Sequence, residues 1–296
     1  MTWTIEDRRV LVTGSTSGIG KAAAIRLADA GAHVTITSRN PEKGSATAAE
    51  VRASTGIDVD VLGVDFADLG SVRKAAGQFL DTHDDLAVLI NNAGAVIGKR
   101  SVTVDGYETT FATNHLGPFL FTYLLTDLLL TSTPSRVINT SSVAHTYAKE
   151  GIVLDDLGFD HREYRFMEVY GHSKLANILH AQELNARFGS QGLTALAVHP
   201  GVVRTGLGSG GDSFIVGLAY KFGGRWMRSP DDGADTIVWL ATEPNIKLDN
   251  GIYFEDRAPS KSTRHARDMD QARRLWTLSE ELTGVSGQPR SGGPMD

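Results

Sequence analysis

The chain has no cysteine among its 296 residues. Disulfides, thiolate metal sites and a cysteine nucleophile are thereby excluded, and the composition fits a reducing compartment. An excess of basic charge is missing too: 29 lysines and arginines face 35 acidic residues, for a net charge of −6. With no basic block, no nucleic acid is expected as a ligand. The most apolar long stretch, Gly117 to Leu130, contains Asp127 and falls short of the roughly 20 residues a membrane span needs. It reads as a buried helix. Met1 to Arg9 is charged and has no apolar core. Neither a signal peptide nor a transmembrane segment is therefore expected, and a cytoplasmic location is. His145, His161, His172 and His199 are scattered, with no HExxH pattern, so no metal site is expected.

What is present is an alternation. Short apolar runs at residues 10–12, 33–37, 59–64, 87–90, 136–140, 194–198 and 251–254 read as strands. Helical patterns fill the intervals. Gly31 stops the first of them, and Pro41 sits where the second can begin. Alternation of this kind predicts an α/β fold of the Rossmann type: a doubly wound, seven-stranded parallel sheet with helices on both faces. No repeat or linker divides the chain, so residues 1–284 are expected to form one domain. Residues 285–296, rich in Gly, Ser and Pro, are expected to be a disordered tail.

Gly14, Ser15, Ser17, Gly18, Ile19 and Gly20 belong to a turn that follows the first strand and opens the first helix. Its glycines have the spacing GxxxGxG. They let the backbone approach a pyrophosphate, and the helix offers free N–H groups and a positive dipole end. The second strand ends in Ser38 and Arg39, where an NAD enzyme usually places an acid. A guanidinium can pair with a 2′-phosphate, so NADP(H) is the expected cofactor.

Tyr170 and Lys174 lie one helical turn apart and share a face. A free phenol titrates at about pH 10. A nearby ammonium favours the phenolate and lowers that value, which makes Tyr170 a candidate acid/base.

These features, together with Asn91-Asn-Ala-Gly94, Asn114, Ser141-Ser142 and Pro200-Gly201, occur in the order seen in short-chain dehydrogenases/reductases. The segments 137–145, 170–177, 198–205 and 275–284 resemble the retinol dehydrogenase-like branch, and the likeness covers roughly residues 6 to 284. The resemblance implies that Ser142 stabilises charge on the substrate oxygen and that Tyr170 exchanges a proton with it. Lys174 would hold the nicotinamide ribose, and Asn114 would support a water in the proton relay. Asp65 would meet the adenine. Asn92, Ala93 and Gly94 would contact the cofactor, as would Pro200, Gly201, Val203 and Thr205. Many NADP-binding relatives carry a basic residue where this chain has Ser17, so the phosphate preference rests on Arg39. The gap between Ser142 and Tyr170 carries the insertion of the retinol dehydrogenase-like branch. An extended-type epimerase fits less well, because its turn is usually GxxGxxG. A non-catalytic NADP-binding sensor of the same fold is the alternative, although such proteins typically lose the tyrosine or lysine.

A lid is expected at about residues 206–230. Its glycines (Gly206, Gly208, Gly210, Gly211) precede an apolar run that includes Phe214, Ile215, Leu218, Tyr220, Phe222 and Trp226. With Phe159, Tyr164, Phe166 and Met167 from the insertion, it predicts a lipophilic aldehyde, ketone or alcohol as substrate. Stripes at Phe119, Leu120, Tyr123, Leu124 and Leu128, and at Leu175, Ile178 and Leu179, raise the expectation of a homodimer or tetramer.

Overall fold

The computed structural model describes residues 3–203, 227–248 and 251–285. Seven strands run parallel: β1 (Arg9–Val12), β2 (His33–Ser38), β3 (Asp60–Gly63), β4 (Val88–Asn91), β5 (Ser135–Thr140), β6 (Leu193–Val198) and β7 (Tyr253–Glu255). An eighth, β8 (Ala258–Pro259), pairs antiparallel with β7. The sheet order is β3-β2-β1-β4-β5-β6-β7-β8. The parallel part agrees with the sequence reading; the two-residue edge strand was not foreseen, because nothing that short has a period of its own.

Among the described residues the α-helices are α1 (Gly18–Asp29), α2 (Pro41–Thr55), α3 (Leu69–Thr82), the short α4 (Thr109–Phe111), α5 (Gly117–Thr131), α6 (Phe166–Phe188), α7 (Pro230–Thr242) and α8 (Met269–Thr283). Local chemistry starts several of them. Asn40 caps α2 by accepting from Lys43 N–H at 2.8 Å, with Pro41 at the first helical position. Ser229 and Asp232 form a capping box on α7.

Two apolar cores cover the two faces of the sheet. One gathers side chains from α3, α5, α6 and α8, the other from α1, α2 and α7. Strand order reverses between β1 and β4, so a crevice opens at the carboxyl ends of these strands, the place where doubly wound sheets bind ligands.

The apolar stripes on α5 and α6 have a different use from the one expected. Phe119, Leu120, Tyr123 and Leu128 of α5 and Leu175, Ile178 and Leu179 of α6 are buried within the chain, beneath α8. Trp276 of α8 stands edge-on to Phe119, with ring centres 5.0 Å apart.

Candidate active site

The β1–α1 turn is built for close backbone approach. Gly14 has φ +64°, and a Cβ there would come within 2.7 Å of Ala93 Cα. A Cβ on Gly20 would collide with the Gly14 carbonyl. Thr37 of β2 anchors the turn, its hydroxyl accepting from Gly14 N–H at 3.0 Å. Ser15 faces inward: its hydroxyl donates to Val12 O at 2.7 Å and accepts from Thr37 N–H at 2.9 Å. Its side chain therefore fixes the turn. Ser17 precedes α1 with no side-chain cap bond, so the first N–H groups of the helix keep their capacity for an anion. Together these features fit a dinucleotide pyrophosphate.

A cavity of about 310 Å³ extends from this turn. Thr16, Ser17, Gly18, Ile19 and Gly20 line one side, and Asn92, Ala93 and Gly94 another. Ser38, Arg39 and Asp65 stand at the β2–β3 end. Ser38 Oγ donates to Asn40 O at 2.6 Å, while the guanidinium of Arg39 is exposed. Thr16, Thr37 and Thr113 also line the cavity and were not anticipated; a lone threonine carries no spacing signal.

Adjoining it is a smaller cavity of about 80 Å³, lined by Asn92, Gly94, Ser142, Tyr170, Lys174, Pro200, Gly201 and Val203 among others. Residues from β4, β5, α6 and β6 thus meet at one point. Thr205 and residues 206–226 lie outside the described residues.

Tyr170 sits in the second turn of α6, which begins at Phe166, a few residues earlier than the periodicity suggested. Part of its side chain faces the cleft, yet the surrounding protein dominates at the hydroxyl. Burial pushes the phenol up to about 12, partly offset by a hydrogen bond with Ser142. Lys174 is buried, and its Nζ donates to Thr140 O at 3.0 Å and stands 5.4 Å from the Tyr170 ring centre. Burial lowers its ammonium to about 8. Ser142 caps the 3₁₀ turn Val143–Tyr147, its Oγ accepting from Ala144 N–H at 3.1 Å. With one lone pair so occupied, the hydroxyl hydrogen is directed at the Tyr170 oxygen, beside which a reacting oxygen would sit.

Asn114 arrives through a π-turn, Ala112–Leu116, between α4 and α5. It is fully buried and holds the segment after β4 against α6. It stands behind Gly94, whose added Cβ would meet Asn114 Oδ1 at 3.1 Å and Lys174 Nζ at 3.6 Å. Among the described residues no group of three or more His, Asp or Glu is placed to hold a metal ion.

The insertion before α6 is ordered around Phe159, which is buried with a left-handed backbone at φ +54°. Arg162 lies 3.7 Å over its ring and bonds Asp156 and Glu168. Tyr164 OH donates to Glu108 at 3.0 Å. Phe159 packs within the insertion, and Tyr164 ties the insertion to Glu108 and to the Ile97 carbonyl beside the dinucleotide cavity.

Comparison with known proteins agrees with this geometry. The short chain dehydrogenase family model matches residues 8–154. Retinol dehydrogenase 12 of Mus musculus is 41% identical over 282 residues, which is 95% of this chain and 88% of that protein. A provisionally assigned daunorubicin C-13 ketoreductase of Streptomyces sp. (strain C5) is 38% identical over 280 residues, 95% and 94% of the two chains. Among solved structures, a short chain dehydrogenase from Burkholderia cenocepacia J2315 in complex with NADP superposes with a TM-score of 0.65. It is 26% identical, and the match covers 82% of this chain and 93% of that one.

Proposed function

This chain belongs to the short-chain dehydrogenase/reductase family, retinol dehydrogenase-like, and on that premise we propose that it is an NADP(H)-dependent oxidoreductase interconverting a lipophilic aldehyde or ketone and its alcohol. The observation that carries the proposal is the meeting of Ser142, Tyr170 and Lys174 in a small cavity that adjoins the dinucleotide cavity.

In this reading the turn Gly14–Gly20 holds the pyrophosphate, Asp65 faces the adenine, and Arg39 pairs with the 2′-phosphate. Asn92, Ala93 and Gly94 flank the cofactor on one side; Pro200, Gly201, Val203 and Thr205 flank it on the other. When bound, the nicotinamide gives a hydride to the carbonyl carbon, or takes one from the alcohol. Ser142 donates a hydrogen bond to the substrate oxygen and steadies the charge that grows there. Tyr170 gives that oxygen its proton in reduction and takes it back in oxidation. A phenol held near 12 is too weak an acid for this step. A positive charge brought close to the phenol favours the phenolate, and Lys174 Nζ stands 5.4 Å from the ring centre. Asn114 supports the path that resupplies the proton.

NADP(H) is favoured by Arg39 and by the absence of an acid at Ser38, and the Burkholderia relative carries NADP. An apolar alcohol or a ketone agrees with the names of the retinol dehydrogenase and ketoreductase relatives. Residues 1–284 act as one domain. The cysteine-free composition supports a reducing, cytoplasmic setting.

The test is a panel of aldehydes, ketones and alcohols followed by NADPH absorbance, with Tyr170→Phe as control. Turnover in the wild type that the substitution nearly abolishes, with NADPH still bound, supports the proposal. NADPH binding with no turnover of any carbonyl would instead indicate a cofactor sensor. Titration calorimetry with NADP and NAD, repeated on Arg39→Ala, tests the phosphate preference. Charge-assisted hydrogen bonds contribute about 1.5–3 kcal/mol, so the wild type should prefer NADP by roughly tenfold or more and the variant by less.

A further inference from the structure

Deepening the oxidoreductase reading, on which it rests, we propose that His145 is a positioning residue for Ser142: one imidazole, fixed in one tautomer, ties the serine's turn to the segment that follows β8. His145 is buried, with its ring edge-on to Tyr253 of β7 at 5.0 Å between centres. Its Nδ1 is 2.7 Å from the carbonyl oxygen of Ser142. Its Nε2 is 3.3 Å from the backbone nitrogen of Thr263.

Both partners restrict the ring in the same sense. A carbonyl oxygen can only accept, so Nδ1 must carry the hydrogen. A backbone N–H can only donate, so Nε2 must keep its lone pair. Only the neutral Nδ1–H tautomer satisfies both, and two independent contacts select it. The ring thus has a defined polarity: it donates toward the active site and accepts from the chain's far end, 118 residues away in sequence.

The Ser142 carbonyl also accepts the backbone N–H of His145 at 3.0 Å. The turn 142–145 is therefore closed twice, once by main chain and once by the ring. That turn sets where Ser142 Oγ points, because Oγ caps the same turn through Ala144 N–H. Displacement of a positioning group by about 1 Å can cost on the order of a hundredfold in rate. His145 touches neither cavity directly. Its effect must pass through the serine.

Three substitutions separate this role from simple core filling. His145→Phe keeps a ring against Tyr253 and loses both hydrogen bonds. His145→Asn places an amide N–H on the same branch as Nδ1, so it can still donate to the Ser142 carbonyl. His145→Gln extends too far for that contact and reaches toward Thr263. With a carbonyl that the wild type reduces, kcat should fall on the order of tenfold or more in Phe and Gln, while KM for NADPH stays within about twofold. Asn should recover most of kcat although it is the smallest of the three. Equal losses in all three variants, or full kcat in Phe, would overturn the proposal. A second readout needs no turnover. Nitrogen NMR of the ¹⁵N-histidine-labelled protein should show His145 protonated at Nδ1 and bare at Nε2, and the opposite tautomer would overturn the anchoring. Wild-type protein inactive on the whole carbonyl panel would remove the oxidoreductase reading and, with it, any role of His145 in this reaction, whatever the tautomer.

Discussion

Asn114 grips Ala95 at both polar atoms of its backbone: Oδ1 accepts the Ala95 N–H at 2.7 Å, and Nδ2 donates to the Ala95 carbonyl at 2.9 Å. The same Nδ2 reaches Ser173 Oγ at 3.0 Å. Both amide hydrogens and one lone pair of Oδ1 are used within the protein, so the side chain acts as a clamp. It clamps the segment leaving β4 onto α6, and thereby sets the spacing of the two walls of the site. Help to a proton path would come from the main chain of the π-turn that carries it.

Replacing Asn114 by Asp keeps the bond from Ala95 N–H but sets a carboxylate against a carbonyl in a buried place. The cost should be about 1–3 kcal/mol, since a buried polar group then loses its partner. Chemical unfolding should show a lower midpoint at neutral pH, and turnover should fall with it. An Asn114→Asp variant as stable as the wild type would rule out the clamp.

Lys174 ties cofactor affinity to pH. Burial lowers its ammonium to about 8, so it is charged below that value and neutral above it. The charged form attracts an anionic dinucleotide, and by linkage the bound dinucleotide raises the midpoint. NADPH affinity measured by titration should weaken as pH rises beyond about 8. In Lys174→Met the affinity should be lower and this step should vanish. A step of the same size in the variant would assign it to another group.

Acid should unfold the protein through its buried histidines. Burial brings His115 down to about 3 and His172 to about 4, and His180 well below its ordinary value. Each is neutral in the folded chain, while in the unfolded chain each takes up a proton below about pH 6.5. The unfolded state then binds more protons, so stability is fully present above that pH and declines as pH falls from there toward 4. Urea midpoints should drop over this interval. In His115→Phe the slope should be shallower, because one proton-uptake site is gone. An unchanged slope would exclude His115 as a source.

The parts of this molecule that could be read from its sequence are those with a local rule. α2 runs over the residues expected because Asn40, Pro41 and Gly56 punctuate it within a single segment. The Tyr170–Lys174 pair follows from helical spacing alone. What escaped are relations across distance. Trp3 lies under the Arg136 guanidinium, 3.7 Å from its ring centre, and donates to Ala241 O at 2.9 Å. No window of sequence contains those three residues. The stripes on α5 and α6 were visible, but their partner was not, since periodicity shows that a face is buried and not what buries it. Ser15 was expected at the cofactor for its place in the turn; only the position of Thr37 reveals that its hydroxyl is already used.

The last prediction concerns what the site accepts. Apolar residues next in the chain to the catalytic groups are exposed: Val143 follows Ser142 and is 50% exposed, Tyr147 ends the same turn at 50%, and Val202 follows Gly201 at 58%. An exposed apolar rim next to polar catalytic groups favours a substrate that covers it. The composition farther along the chain agrees, with Phe214, Ile215, Leu218, Tyr220, Phe222 and Trp226 in one short span. Burial contributes about 0.8 kcal/mol per CH₂, which is roughly fourfold in kcat/KM for each methylene that reaches the rim. In a homologous series of straight-chain aldehydes, kcat/KM should therefore climb steeply with length and level off once the chain passes beyond the apolar surface. Val143→Asp and Val202→Asp should flatten the climb while leaving the shortest aldehyde little affected. A flat series in the wild type, or a preference for small charged carbonyls, would mean that these side chains serve packing and that the substrate is polar.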